Sequence, residues 1–504
     1  MQGINAIEYM DIKIFFFYID EGEGETMAQL MKIVNSIDSV IGTFVLTPGL
    51  LFTGLLFTFG LGFVQFKNFG AAFKQTFSGV FKSNKEKGSA GGTISSFQAL
   101  ATAIAAQIGT GNVAGVASAI MTGGAGAVFW MWVSALVGMS TIFAEACLAQ
   151  VYRERKDGVL VGGPAYYIRK GVGKRSKGIA KFLAAFFAIS IVFALGLVGN
   201  MVQSNSIASA VTVAIPGLPA IAVGIVLAVL AGLIFIGGIK RIGRFAELVV
   251  PIMAVLYVIA SIIILITQRA NIPSAFGLIF SSAFSTHAAV GGIVGTVVRT
   301  AVKRGVQRGL FSNEAGMGST PNAHAVALVA HPAQQGLTAM IGVFLDTIVV
   351  CTATALTILL TQSYMVPNHD SPTGFYEAAQ VTQKAFDIAF PSIGNGLLAI
   401  CLTFFAFTTI VGWYYFGETN IRYLFGEKGL MPYRILVLVF IVLGSATKIQ
   451  AVWDLSDFAN DLMVIPNMIA LWCLFGEVRA IYKDFNKCRK DGVIKYDYSE
   501  EAKP

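Results

Sequence analysis

Residues 101–126 read ATAIAAQIGTGNVAGVASAIMTGGAG, an apolar run interrupted at its middle by Gly109-Thr110-Gly111-Asn112. At about 1.5 Å rise per residue such a run exceeds the roughly 30 Å hydrocarbon core of a bilayer. It reads as a membrane-crossing helix. Two glycines and an asparagine at that depth weaken the helix, and freed backbone groups survive in lipid only where protein or a wet cavity satisfies them. A break of this kind can hold a small polar solute.

The whole chain fits that reading. Of 504 residues 55% are hydrophobic and only 13% charged, and the mean hydropathy is +0.70, against about 25% charged in soluble domains. This composition predicts an all-α polytopic membrane protein. Apolar spans fall near 41–63, 95–122, 125–151, 182–211, 217–237, 246–267, 285–303, 336–361, 394–421, 431–447 and 461–482, eleven transmembrane helices in all. The net charge of +8 needs no nucleic acid as partner. With the C-terminus inside, most Lys and Arg fall in the loops 64–94, 152–181, 238–245, 303–335 and 422–434 and in the tail. Arg299 sits in a span, and only Lys13, Lys32, Arg269, Lys384 and Lys448 lie elsewhere. The positive-inside rule then places the C-terminus in the cytoplasm and the N-terminus outside, with anionic lipid as the partner of the basic loops. Residues 1–35 form an acidic extension with no basic n-region or cleavage site of a signal peptide. Met27 is expected as the natural start. Five cysteines, four of them inside spans, suggest neither a disulfide framework nor a metal motif, and His287, His324, His331 and His369 lack metal spacing.

After the broken helix comes GGAGAVFWMWVSALVG, residues 123–138. Taken alone, its two tryptophans suit an aromatic belt. Together with GTGNVAGV (109–116) and RGLFSNEAGMGS (308–319), this string closely resembles the signature of the alanine or glycine:cation symporter family, a likeness that extends over roughly 36–485. The resemblance implies a sodium-coupled importer of small neutral amino acids, alanine and glycine first among them, in the cell membrane of a bacterium. It also implies the LeuT-like five-plus-five inverted repeat of the APC superfamily, with broken first helices. On that plan residues 36–66 are an extra peripheral helix, 95–268 the first repeat, 285–482 the second and 483–504 a basic cytoplasmic tail. Each repeat holds five crossings, an odd number, so the two are inverted. The second repeat opens on AAVGGIVGT (288–296), where Gly291, Gly292 and Gly295 suit either close helix packing or a second break. Their corresponding position favours the break.

The site chemistry follows from the interruption. Backbone N–H groups around Thr110, Gly111 and Asn112, at the start of the second half-helix, suit a substrate carboxylate. Gly109 and Gly111 permit close approach. Carbonyls of Ala105 and Ile108, freed at the end of the first half, suit sodium. In related transporters of this fold adjacent hydroxyls complete such a shell, here Thr408 and Thr409, although both can instead bond back to their own helix. Trp413 shares a helical face with Thr409 and either walls the pocket or simply packs. Gln107 is the best side-chain candidate for a substrate hydrogen bond.

Charges inside spans are functional candidates by default. Asp346 reads as a second cation ligand, a proton site or the partner of Arg299. Glu145, Glu247 and Glu418 read as salt-bridge partners of Arg153, Arg244 and Arg422. Asn200 and Gln203 line the path or bond between helices. GTGNVAG misplaces the third glycine of a dinucleotide fingerprint and follows no strand. The spans hold no Ser-His or His-Asp constellation, so an enzyme is not expected. The alternatives kept are proton coupling and an uncoupled facilitator or channel; oligomeric state is not legible.

Overall fold

The computed structural model describes residues 24–81, 94–284, 294–368, 376, 379–447, 449–499 and 502. The chain opens on helix α1 (Gly24–Val40), a π-helical turn (Ile41–Leu46), α2 (Thr47–Gly60) and α3 (Phe69–Phe81). The broken pair follows: strand β1 (Ile94–Ser95), α4 (Ser96–Gln107), a π turn (Gly111–Gly115) and α5 (Val116–Gly123). Next come α6 (Gly126–Val151), the hairpin β2 (Glu154–Lys156) and β3 (Val159–Val161), α7 (Pro164–Gly171), α8 (Lys177–Ile191), a π segment (Val192–Gly199) and α9 (Asn200–Ala214). Then α10 (Ala220–Phe235), α11 (Gly238–Thr267), α12 (Ile272–Phe284) and α13 (Val294–Asn313) lead to the short α14 (Pro321–His324) and β4 (Ala327–Leu328). The remainder is α15 (Pro332–Val343), a π segment (Phe344–Cys351), α16 (Thr352–Thr361), α17 (Ala379–Ala389), α18 (Gly394–Phe425), α19 (Leu430–Ala446), α20 (Ile449–Cys473) and α21 (Phe475–Lys490).

Where the side chains go identifies the solvent. Val226, Val229, Leu233, Leu248, Ile252 and Val255 are each more than half exposed, whereas Thr110, Asn112, Gln203, Asp346 and Thr409 are fully buried. An apolar outside around a polar inside is the pattern of a protein whose surroundings are hydrocarbon. Among the described residues six helices are long and apolar enough to cross a bilayer, or eight if two bent pairs each count as one span. One of the six, Gly394–Ala446, has 53 residues and would measure about 80 Å if straight. It reverses instead at Gly426, whose φ is +67°, so α18 and α19 are separate rods.

Ser95 and Gln98 form a reciprocal cap at the head of α4, Gln98 N donating to Ser95 Oγ and Ser95 N to Gln98 Oε1, both at 3.1 Å. The span drawn at 285–303 needs correction. Gly291 and Gly292 lie outside the described residues, and Gly295 sits inside α13, which runs unbroken from Val294 to Asn313. Lys303, Arg304 and Arg308, assigned above to an inner loop, therefore ride on a helix. That helix packs on α6 through Gly305 and Gly309, where an added Cβ would run into Ala127 and Ser134; such a small-xxx-small stripe lets two backbones approach closely. The tryptophans of α6 bond to neighbouring helices, Trp130 Nε1 to Ala283 O at 3.3 Å and Trp132 Nε1 to Thr352 Oγ1 at 2.8 Å.

Two contacts position the site. β1 pairs in parallel with β4, Ile94 opposite Ala327 and Ser95 opposite Leu328. Farther along α4, Gly412 of α18 lies so close that an added Cβ would meet Ala106 Cβ at 2.9 Å and its backbone N at 3.1 Å. Overpacking of this kind costs about 1–3 kcal/mol. Gly412→Leu is accordingly expected to lower the thermal unfolding midpoint in detergent by several degrees, and an unchanged midpoint would show that α18 and α4 are not tightly packed.

Candidate functional site

The interruption in the first broken helix is real. Ile108 N still bonds Ile104 O at 2.8 Å, but Ile108 itself is extended (ψ 90°), and the two half-helices meet at 50°. The amides that leave the helical ladder are taken by side chains: Gly109 N donates to Asn112 Oδ1 at 2.9 Å and Thr110 N to Gln203 Oε1 at 3.3 Å. Gly109 is required because an added Cβ would strike the Thr409 hydroxyl, and Gly111 because one would meet Ser312 Cα at 3.1 Å. Both glycines thus serve close approach of protein to protein.

Carbonyls freed at the break converge on one group. Thr409 Oγ1 lies 3.0 Å from Ala105 O, 3.3 Å from Ala106 O, 3.4 Å from Ile108 O and 3.0 Å from Phe405 O. A hydroxyl has a single proton. Four acceptors around it leave a surplus of oxygen dipoles, the environment that suits a small hard cation. Thr408 stays out of this ring. Its hydroxyl donates to Phe405 O at 2.9 Å and lies against Met253 Sδ.

A second break lies past the end of α13, in which Gly295 is an ordinary helical residue. It spans residues 314–320, between α13 and α14, where Glu314, Gly316 and Gly318 all have positive φ. Glycine adopts such angles freely and glutamate rarely does, so Glu314 is held by its bonds. Its carboxylate accepts from Trp413 Nε1 at 2.6 Å and from Ser319 Oγ at 2.5 Å. Glu145 accepts from Gly316 N at 3.0 Å and from Asn467 Nδ2 at 2.6 Å, and Asn467 also donates to Gly316 O at 2.8 Å. Glu145 is therefore a support of the second break. Arg153 bonds elsewhere. Glu247 likewise pairs with Gln98 at 2.9 Å, and Glu418 with Tyr414 and Arg434, while Arg422 faces Asp157 and Glu427.

The two breaks are tied together. Gln107 Nε2 donates to Asn313 O at 2.7 Å, the last carbonyl of α13, which makes Gln107 a bridge. Asn112 Nδ2 donates to Asp346 Oδ1 at 2.6 Å, and the same carboxylate accepts from Ser312 Oγ at 3.1 Å and Thr347 Oγ1 at 2.7 Å. Asp346 is fully buried and no Lys or Arg pairs with it among the described residues. The proposed partner Arg299 is exposed, its guanidinium 5.5 Å over the Phe44 ring; that pairing is withdrawn.

The buried polar atoms without partners include Gln107 Oε1, Thr110 Oγ1, Asn200 Oδ1 and Gln203 Nε2. Buried polar groups are rarely left so. Large rings wall the same region, Trp413 and Phe311 edge to face at 6.3 Å, with Phe311 Cδ1 3.3 Å from where a Cβ on Gly111 would stand. Sequence reasoning missed Glu314, Phe311 and Ser312, although all three lie in the quoted string at 308–319.

Known proteins resemble this chain over most of its length. The family model described as "Sodium:alanine symporter family" matches residues 27–499. The "Sodium/alanine symporter AgcS" of Methanococcus maripaludis is 43% identical over 463 residues, covering 92% of this chain and 98% of that protein. The "Probable sodium/glutamine symporter GlnT" of Bacillus subtilis is 38% identical over 479 residues, 95% of each chain. The "Putative sodium/proton-dependent alanine carrier protein YrbD" of the same organism is 38% identical over 474 residues, 92% of this chain and 94% of the other.

Removing an acceptor from a buried bonded donor costs about 1–3 kcal/mol. Glu314→Gln, which keeps an oxygen for the indole, should unfold within a few degrees of the parent, while Glu314→Leu should fall well below it in differential scanning fluorimetry. Equal midpoints would show that Glu314 does not hold the second break.

Proposed function

The chain belongs to the sodium:alanine symporter family, and from that premise we propose that it imports small neutral amino acids, alanine and glycine, together with sodium by alternating access. The observation that carries this reading is the ring of carbonyl oxygens about the Thr409 hydroxyl at a helix break in the interior of a membrane protein. In it Ala105 O, Ile108 O and Thr409 Oγ1 coordinate the ion. Thr408 would add an oxygen only by a rotamer change that gives up its Met253 contact. The substrate lies beside the ion. Its carboxylate takes the backbone N–H of Gly111 and displaces the 3.3 Å bonds that Thr110 N and Asn112 N make to Gln203 Oε1 and Gly109 O, Gln203 and Thr110 supply side-chain hydrogen bonds, and Phe311 and Trp413 limit side-chain size.

Asp346, with Ser312 and Thr347, is the second cation site, a cage of one carboxylate and two hydroxyls that sodium or a proton can occupy. Eleven crossings, an inverted five-plus-five repeat, a cytoplasmic C-terminus and an outside N-terminus complete the proposal, with a plasma-membrane location. Energetics make the ion necessary. A zwitterion carries no net charge and gains nothing from the membrane potential, whereas one accompanying cation gains roughly 2.3 kcal/mol per 100 mV, about a forty-fold accumulation.

Uptake of labelled alanine into proteoliposomes tests the whole reading: a sodium gradient should drive accumulation, and equal uptake with potassium replacing sodium would leave proton coupling or an uncoupled facilitator. Thr409→Val should raise the sodium concentration for half-maximal uptake at least tenfold, whereas an unshifted sodium curve would remove Thr409 from the ion site. Trp413→Ala should let glutamine or leucine compete with alanine, and a competitor profile like the parent's would mean that the indole does not set substrate size.

A further inference from the structure

Past α21 the chain turns at Gly492, whose φ is +74°, and residues 493–499 run back without regular structure along the face that carries the ends of α6 and β4. The stretch is held at few points. Tyr496 N donates to Ala330 O at 3.0 Å, and the Tyr496 ring meets the His331 ring edge to face at 5.1 Å. Tyr498 is buried, its hydroxyl 3.3 Å from Gln150 Oε1 and 3.4 Å from Val329 O. The guanidinium of Arg153 stacks over the Tyr498 ring at 4.6 Å, and Arg153 Nε donates to Ala502 O at 2.8 Å. A cavity of about 560 Å³, lined by Lys170, Lys174, Glu477, Asp484, Tyr496 and Asp497, undercuts the stretch on one side.

What it covers matters. Arg153 is fully buried, and Nη1 reaches Gln150 Oε1 at 2.6 Å, Ala325 O at 3.1 Å and Ala327 O at 2.9 Å. Gln150 Nε2 in turn donates to His324 O at 2.5 Å and Ala327 O at 3.1 Å. Those carbonyls belong to the strap, residues 324–331, that leaves the second break and pairs through β4 with the head of the first. The Tyr498 ring and the Ala502 carbonyl thus complete the burial of the cation that fastens this strap to α6. A guanidinium taken from water is retained only where bonds and stacking replace its hydration, so lifting the stretch loosens the strap.

We propose that residues 493–499 with Ala502 are a latch on the inner face, which must lift from Arg153 and the 324–331 strap before the paired inner ends of the broken helices can swing out together and release substrate. This rests on the transport reading and the orientation proposed above. The bond from Tyr496 N to Ala330 O, at 3.0 Å, holds the two backbones side by side, so a disulfide between cysteines placed at these positions can lock the latch after folding. In Ala330→Cys/Tyr496→Cys proteoliposomes, oxidation should cut sodium-driven alanine uptake at least tenfold and reductant should restore it. Alanine binding to the oxidised protein, measured by calorimetry, should persist, because only the exit is closed. Equal uptake before and after reduction, or loss of alanine binding on oxidation, overturns the latch. Absence of sodium-driven uptake in the parent protein would instead overturn the transport reading.

Discussion

A peptide N–H or C=O left unpaired in hydrocarbon costs several kcal/mol, and the interior of this protein is arranged around opening two helices under that constraint. Neither opening is self-sufficient. Amides released at Gly109 and Thr110 go to Asn112 and Gln203. The carbonyl released at Asn313 goes to Gln107, from the other broken helix. Gly316, in the second gap, is held on both its N–H and C=O by Glu145 and Asn467, from α6 and α20. Each opening is stabilised by groups the fold brings from far along the chain, so the breaks exist only in the assembled bundle.

Charge follows the same economy. Glu145, Glu314 and Asp346 are all fully buried, and N–H and O–H donors stand around each in place of water. Arg308, in the last turns of α13, pairs bidentately with Asp457 at 3.1 and 2.9 Å and stacks near Phe311 and Trp453. Positive charge close to the site is thereby committed to a carboxylate on α20, leaving oxygen dipoles to dominate around Thr409.

The first break could be read from residues 101–126 because glycines and an asparagine stand out inside an apolar run, and helical spacing along α18 gave Thr409 and Trp413 a common face. The second was hidden for a physical reason. Lys303, Arg304 and Arg308 give α13 the look of a solvated loop, although the three lie within one continuous helix. Ion-pair assignments failed because proximity in sequence was used where tertiary distance decides: the partners of Glu145 lie 171 and 322 residues away. Gln107 stands out in the sequence as a polar residue on a helix of small apolar ones, but its amide spans the two breaks, a pairing that no local pattern encodes.

The two-residue ladder between β1 and β4 has a mechanical consequence. It fastens the strand that enters the first interrupted helix to the strand that leaves the second, side by side and pointing the same way. Two rods yoked at one end cannot tilt independently; a shift imposed on either is inherited by its mate. The two hinges are thus tied at one end by backbone hydrogen bonds, so the strand at the head of one and the strand at the exit of the other move as one piece.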